Sequence, residues 1–403
     1  MLFNLNSFLI AVSTALDYSE QEILHTTSHH SKRVAYIALR ISQLLGLTQE
    51  EQFDLCSLAL MHDNGLTQAF LNQRVLKKGS LKNISILEKM KDHVLISEKN
   101  VKSFPFLTDT KDVILYHHEF YNGSGFFEKS GDEIPIMSQI ICCADAIDMK
   151  FDLLNATISS IDTIKNYINE QSNILFREDV CEAFLKLSSK ASFWADLKDE
   201  QIIPSLENFL PKITIDISYE IIHDISTIFS NIIDSKSPFT AKHSNELMQK
   251  SQLIAKHLNF DAIHSLKFQI AANLHDLGKL AIANSILEKE APLSSSEYET
   301  IKQHVVITDY LLEGIEGFNE IHEWASHHHE RMDGSGYPFK KRASELSYEA
   351  KLLGSLDMYQ ALVEDRPYRK KMSHDKAITL MAEHAQKNLL DKESVRIINS
   401  IFS

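Results

Sequence analysis

Val34–Leu47 reads VAYIALRISQLLGL. Its apolar residues Val34, Ile37, Ala38, Ile41, Leu44 and Leu45 fall at the i, i+3, i+4, i+7 positions that lay one stripe along a helix. Gly46 stands where the stripe stops, as a helix C-terminus favours. A second helix is predicted from about Glu50 to His62. The same arrangement returns in the second half, where amphipathic stretches run from Ser244 to Leu258 and from Ala262 to His275, closed by Gly278.

Polar landmarks make the repeat concrete. His30-Ser31 matches His243-Ser244, and His62-Asp63 matches His275-Asp276, both 213 positions apart. His93 matches His304, His117-His118-Glu119 matches His328-His329-Glu330, and Gly123-Ser124-Gly125 matches Gly334-Ser335-Gly336, all at 211; Asp145 matches Asp357 at 212. Six landmarks in one order with small drifts mark two copies of one helical domain. The boundary is expected near Pro204 to Pro211, giving a first domain over 1–210 and a second over 211–403, with 158–209 as extra helices closing the first copy.

Composition agrees with an all-α chain. Twelve glycines and eight prolines in 403 residues are under half the average share of roughly 12%. Ordinary values of 44% hydrophobic and 24% charged residues exclude a disordered or low-complexity chain. The net charge of −14 argues against a binder of polymeric nucleic acid or an anionic membrane, since both need a basic field. Met1–Val12 is apolar but lacks a basic leader, and it reads as a core helix instead of a signal. No run approaches the roughly 20 apolar residues that span a bilayer. Cys56, Cys142, Cys143 and Cys181 show no CxxC spacing and read as buried thiols of a reducing compartment, which places the protein in the cytoplasm. Oligomeric state is open, a homodimer included.

Nineteen histidines, many beside another His or an Asp, locate the chemistry. In the second copy His243, His275, Asp276, His304, His328, His329 and Asp357 offer seven N/O donors from four or five helical segments, as a helical bundle needs for an interior metal site. Seven donors without a thiolate exceed the needs of one tetrahedral ion, so two metals sharing a carboxylate fit better. Neighbours on a helix point about 100° apart, so His275 and Asp276 address one centre only near a helix end. Imidazole-rich sets suit iron, manganese, zinc or nickel more than magnesium or calcium, and iron or manganese is expected. Two such ions make hydroxide from water and polarise phosphoryl oxygens, and the predicted reaction is phosphodiester hydrolysis. Lys279 adds a cation for a phosphate oxygen. Asp276 and Lys279 are the catalytic candidates. His223, His257, His264, His322, His327, His374 and His384 read as core or surface histidines.

These residues resemble the HD superfamily of metal-dependent phosphohydrolases, and more narrowly its HD-GYP branch. The carriers are His275-Asp276-Leu277-Gly278-Lys279, the run from His328 through Asp333, Gly334, Gly336, Tyr337 and Pro338, and Asp357 followed by Asp365-Arg366-Pro367-Tyr368-Arg369-Lys370. The resemblance implies tandem all-α HD-type bundles and a centre held by the seven donors named above. It further implies Lys279, Arg366 and Arg369 on the substrate, and hydrolysis of a 3′,5′-linked cyclic dinucleotide, cyclic di-GMP or 3′,3′-cyclic GMP-AMP. Some members add an upstream glutamate for a third metal; here Phe239 stands four residues before His243 and the nearest upstream carboxylate is Asp234, which favours two ions. The glycines of the loop are expected to supply positive φ, and Pro338 to fix its exit.

The first copy keeps His30, His62, Asp63, His93, His117, His118 and Asp145, yet Leu66 replaces Lys279, Asn122 replaces Asp333, Phe126-Phe127 replaces Tyr337-Pro338, and nothing matches Arg366 or Arg369. It reads as a degenerate, regulatory partner. Two alternatives stand beside the phosphodiesterase reading: an HD-type nucleotidase, and a metal-containing signalling adaptor without turnover.

Overall fold

The computed structural model describes residues 2–76, 86–237, 243–365 and 369–403; Phe239 and Arg366 lie outside them. The chain divides into two compact units, Leu2–Ile215 and Asp216–Ser403. Both are helical, and the only sheet among the described residues is a two-stranded pairing of Leu2–Phe3 with Ile215–Asp216. The expectation of an all-α fold is met.

In the first unit the apolar stripe quoted above lies on helix His30–Leu45, whose core residues are fully buried and which packs on Gln49–Leu60, Ile136–Lys150 and Glu178–Ser188. Gly46 ends it in the left-handed conformation at φ 74°. Thr48 then starts the next helix, accepting the Glu51 N–H while the Glu51 carboxylate accepts the Thr48 N–H. Met1–Val12 falls mainly on the buried helix Leu5–Leu24. The helix expected to reach His62 stops at Leu60, leaving His62-Asp63 in a turn. Pro204 does not mark a linker. It lies inside helix Asp199–Phe209, and the units change over after it, at Ile215.

The second unit is built around helix Ala262–Leu274, which packs on Tyr219–Asp234, His243–His257 and Asn319–Ser326; Tyr348–Val363 packs on His243–His257. Asp234, the nearest upstream carboxylate, is used locally: it accepts the N–H and hydroxyl of Ser244 and so fixes the start of the His243 helix. All four cysteines are buried and free. No helix among the described residues is long and apolar enough to cross a membrane.

Candidate metal centre

The seven donors of the second unit come together from five places. His243 opens helix His243–His257, His275 caps Ala262–Leu274 with Asp276 in the following turn, His304 lies within Ser295–Leu312, His328 and His329 follow Asn319–Ser326, and Asp357 sits on Tyr348–Val363. The helix ends at Leu274, so His275 and Asp276 turn toward the same interior. The turn can pass there because Gly278 has no side chain: a Cβ would collide with the carbonyl oxygen of His304. The Gly278 N–H donates to Thr308 Oγ1 at 3.0 Å, and the Thr308 hydroxyl donates to the His275 carbonyl at 3.2 Å, tying this turn to the His304 helix.

Ligating atoms within 4.8 Å of one another form three overlapping groups: His243, His275 and Asp276; His275, His328 and Asp357; and His304, His328 and His329. His243 Nε2 stands 3.2 Å from Asp357 Oδ1 and His275 Nε2 3.2 Å from Asp276 Oδ2. His304 Nε2 stands 3.4 Å from Asp276 Oδ1. Three ring tautomers follow from local bonds. His275, His304 and His328 each have Nδ1 within 2.6–2.8 Å of a backbone carbonyl three residues earlier, so Nδ1 carries the hydrogen and donates. Their Nε2 lone pairs then point inward, buried and with no hydrogen bond to accept. Lone pairs of imidazole facing carboxylate oxygen repel until a cation sits between them, so the donor set fits a metal.

Electrostatics agree. Burial, the largest effect, works to raise Asp276, but His275, Lys279 and His304 hold its carboxyl well below the usual range. Asp357 is held down against burial in the same way by His243 and His275. Burial pushes His304 down to about 3 and His329 down to about 4, and His328 lies well below its ordinary value. His304, His328 and His329 are therefore neutral and available as ligands.

Lys279 Nζ reaches Asp276 Oδ2 at 2.5 Å with its side chain 18% exposed. The Tyr337 ring lies 4.8 Å from that of His329. Arg369 is placed one helix end away, its guanidinium donating to the Ala361 and Leu362 carbonyls. In the loop after His329, Gly334 has φ 82° as expected, but Gly336 does not have positive φ; it is required by proximity, since a Cβ would lie 2.5 Å from Glu330 Cα. Tyr337-Pro338 is a cis peptide. Asp333 accepts the Ser335 N–H at 2.9 Å within the loop.

Sequence reasoning missed two supporting carboxylates. Glu364 lies 3.0 Å from His243 Nδ1, and Glu330 accepts the N–H groups of Phe339 and Lys341, closing the loop on itself. Glu330 stood within the quoted motif; Glu364 carried no signal. The other histidines join none of these groups: His264 pairs with Glu349, His322 with Asp309, and His374 with Tyr359.

The HD domain family model matches residues 19–159 and again 227–393, and the chain belongs to that family. Among its relatives is the 3′3′-cGAMP-specific phosphodiesterase 1 of Vibrio cholerae, 28% identical and covering 98% of this chain and 91% of that protein. The 3′3′-cGAMP-specific phosphodiesterase 3 of the same organism is also 28% identical, covering 95% and 91%. The cyclic di-GMP phosphodiesterase of Thermotoga maritima is 29% identical over 46% of this chain and 48% of its own length. A crystal structure of a cyclic GMP-AMP specific phosphodiesterase of V. cholerae matches 100% of this chain and 98% of that one, with a TM-score of 0.69 and 25% identity.

Proposed function

We propose that the second unit hydrolyses a 3′,5′-linked cyclic dinucleotide to a linear dinucleotide, with 3′,3′-cyclic GMP-AMP as its preferred substrate and cyclic di-GMP as the second. The carrying observation is the convergence of His243, His275, Asp276, His304, His328, His329 and Asp357 with inward, hydrogen-bond-free Nε2 atoms at His275, His304 and His328, beside the Lys279 ammonium. The relatives named for 3′3′-cGAMP align over nearly the whole chain, whereas the cyclic di-GMP enzyme of T. maritima aligns over less than half, which supports the order of preference.

The seven residues would hold two divalent ions, iron or manganese by the softness of the donors. When bound, the ions would lower the pKa of a water to make the nucleophile, polarise the phosphoryl oxygens and offset charge on the leaving alkoxide. The chain itself orients everything else. Backbone carbonyls of Ala272, Ile301 and Ala325 hold three rings by Nδ1, so their Nε2 atoms need no reorganisation to ligate. Lys279 holds a phosphate oxygen beside Asp276; Arg369, on leaving the Ala361 and Leu362 carbonyls, would add a cation toward the second phosphate or a base, the role the motif also implies for Arg366. The loop of Asp333, Gly334, Gly336, Tyr337 and Pro338, braced by Glu330, keeps the Tyr337 ring against His329. In the first unit Leu66 is buried where Lys279 stands in the second, so the cation offered by Lys279 has no counterpart at that position, and that unit serves as a non-catalytic, regulatory partner.

The test is a product assay on anaerobically purified protein with its metals quantified, following 3′,3′-cyclic GMP-AMP and cyclic di-GMP by chromatography. Conversion to a linear dinucleotide, lost in Asp276→Ala together with the metal, is expected. Metal-loaded protein that turns over neither compound sinks the proposal in favour of a signalling adaptor.

A further inference from the structure

Helix Ser295–Leu312 brings more than His304 to the site. Tyr298 stands six residues before His304, about 9 Å along the helix axis, and is 47% exposed. One turn after Tyr298, the Lys302 ammonium lies 5.3 Å from the Tyr298 ring and 5.7 Å from the Tyr337 ring, within cation–π reach of both. The Tyr337 ring in turn lies 4.8 Å from that of His329. A continuous row therefore runs from a buried metal donor through Tyr337 and Lys302 to the open face of Tyr298.

The first unit separates the parts of this row. At the offset of 211 that pairs His304 with His93, Lys302 matches Lys91 and Tyr298 matches Leu87. Lys91 donates to the Phe126 carbonyl at 3.2 Å and lies 4.8 Å from the Phe127 ring. In both units, then, this lysine ties the helix of the single histidine to the loop after the paired histidines. The tie persists where the substrate elements are lost, so it serves the loop. Tyr298 behaves differently. It gives way to leucine in the unit that also replaces Lys279 by Leu66 and Tyr337 by Phe126.

The open face of a phenol ring adds nothing to the packing of the fold, but a nucleobase stacks on such a face whatever its edge pattern. A cyclic dinucleotide whose scissile phosphate lies beside Lys279 and the metal donors extends a base away from them by the length of a nucleoside. That is the scale of the helix segment between His304 and Tyr298. Resting on the function proposed above, we infer that Tyr298 is a substrate-binding residue whose ring stacks on one purine of the cyclic dinucleotide, while Lys302 keeps the Tyr337 loop docked beside it.

The test is steady-state kinetics on 3′,3′-cyclic GMP-AMP and cyclic di-GMP with full-length, metal-loaded protein and its Tyr298→Leu and Tyr298→Phe variants, metal content being measured on each preparation. Leucine, the residue of the first unit, is expected to raise KM about 10-fold with kcat held within about threefold, because a stack made equally in the bound substrate and the transition state is uniform binding. Phenylalanine keeps the π face and is expected to bring KM back to within about twofold of the unsubstituted value. An unchanged KM in Tyr298→Leu overturns the inference, and so does a phenylalanine variant as impaired as the leucine one. Loss of kcat together with metal in Tyr298→Leu overturns it as well, since Tyr298 would then brace the His304 helix. Unsubstituted, metal-loaded protein that turns over neither compound overturns the proposed function and this inference with it, whereas an active enzyme indifferent to Tyr298→Leu overturns the inference alone.

Discussion

Replacing Lys279 by methionine separates holding substrate from holding metal. The Lys279 ammonium stands 2.5 Å from Asp276 Oδ2, and a charge-assisted hydrogen bond from it to a phosphate oxygen is worth roughly 1.5–3 kcal/mol. Its side chain keeps 18% exposure, so water screens part of that interaction and the lower half of the range applies, about 2 kcal/mol or roughly 30-fold in kcat/KM. Methionine preserves the aliphatic stem. Asp276 keeps its place in the turn after Leu274, with His275 at 3.2 Å and His304 at 3.4 Å to share a cation with it, so metal content should hold. The assay pairs steady-state kinetics on 3′,3′-cyclic GMP-AMP with metal analysis of the same preparation. Turnover within threefold of the unsubstituted enzyme refutes the phosphate contact. Metal lost in proportion to activity refutes the separation, because Lys279 would then act by positioning Asp276.

Gly278→Ala should fail by collision with the backbone of His304, which no side-chain rotation relieves; a cost of about 1–3 kcal/mol lowers Tm by about 2–12 °C, seen by calorimetry together with lower metal content. An unchanged Tm would contradict the packing described for this turn. The depressed histidines fix the sign of a pH effect. His304 near 3 and His329 near 4 stay unprotonated far below the ordinary histidine value of about 6.5, so protons do not compete for these ligands until the pH approaches 4. Metal retained after dialysis should be the same at pH 7.5 and 5.5, and loss of half of it near pH 6.5 would show these rings to be solvated. Glu364→Gln removes the anion facing His243 Nδ1 and should weaken metal binding roughly 10-fold or more while the fold persists, read by competition with a chelator. An unchanged affinity would limit Glu364 to packing.

Much of this molecule is local, and what is local was legible. The stripe from Val34 to Leu45 and the stop at Gly46 depend on neighbours within a turn or two, so spacing alone gave that helix and its end, whereas the helix expected to reach His62 stops at Leu60. The repeat and the identity of the seven donors in each copy were likewise visible, because residue type and order are properties of the chain. Even the Nδ1 bonds of His275, His304 and His328 are local, each to the carbonyl three residues back. The boundary expected near Pro204 to Pro211 falls a few residues later, at Ile215, because helix Asp199–Phe209 accommodates Pro204.

What the tertiary structure alone decided is which distant groups meet. His243 and Asp357 are far apart in sequence and 3.2 Å apart in space, and Glu364 reaches His243 only because helices His243–His257 and Tyr348–Val363 pack together. Arg369 bonding to helix carbonyls instead of standing free, and Glu330 bracing its loop, have no periodic signature. The difference between three gathered donors in one unit and four in the other is of this kind too. Both copies spell the same ligands, but how many ligating atoms gather within reach of one another, four at Asp63, His93, His117 and His118 or three at His304, His328 and His329, is decided by the folded positions of separate segments. Coordination number is a property of distances, and distances between remote segments exist only once the chain has folded.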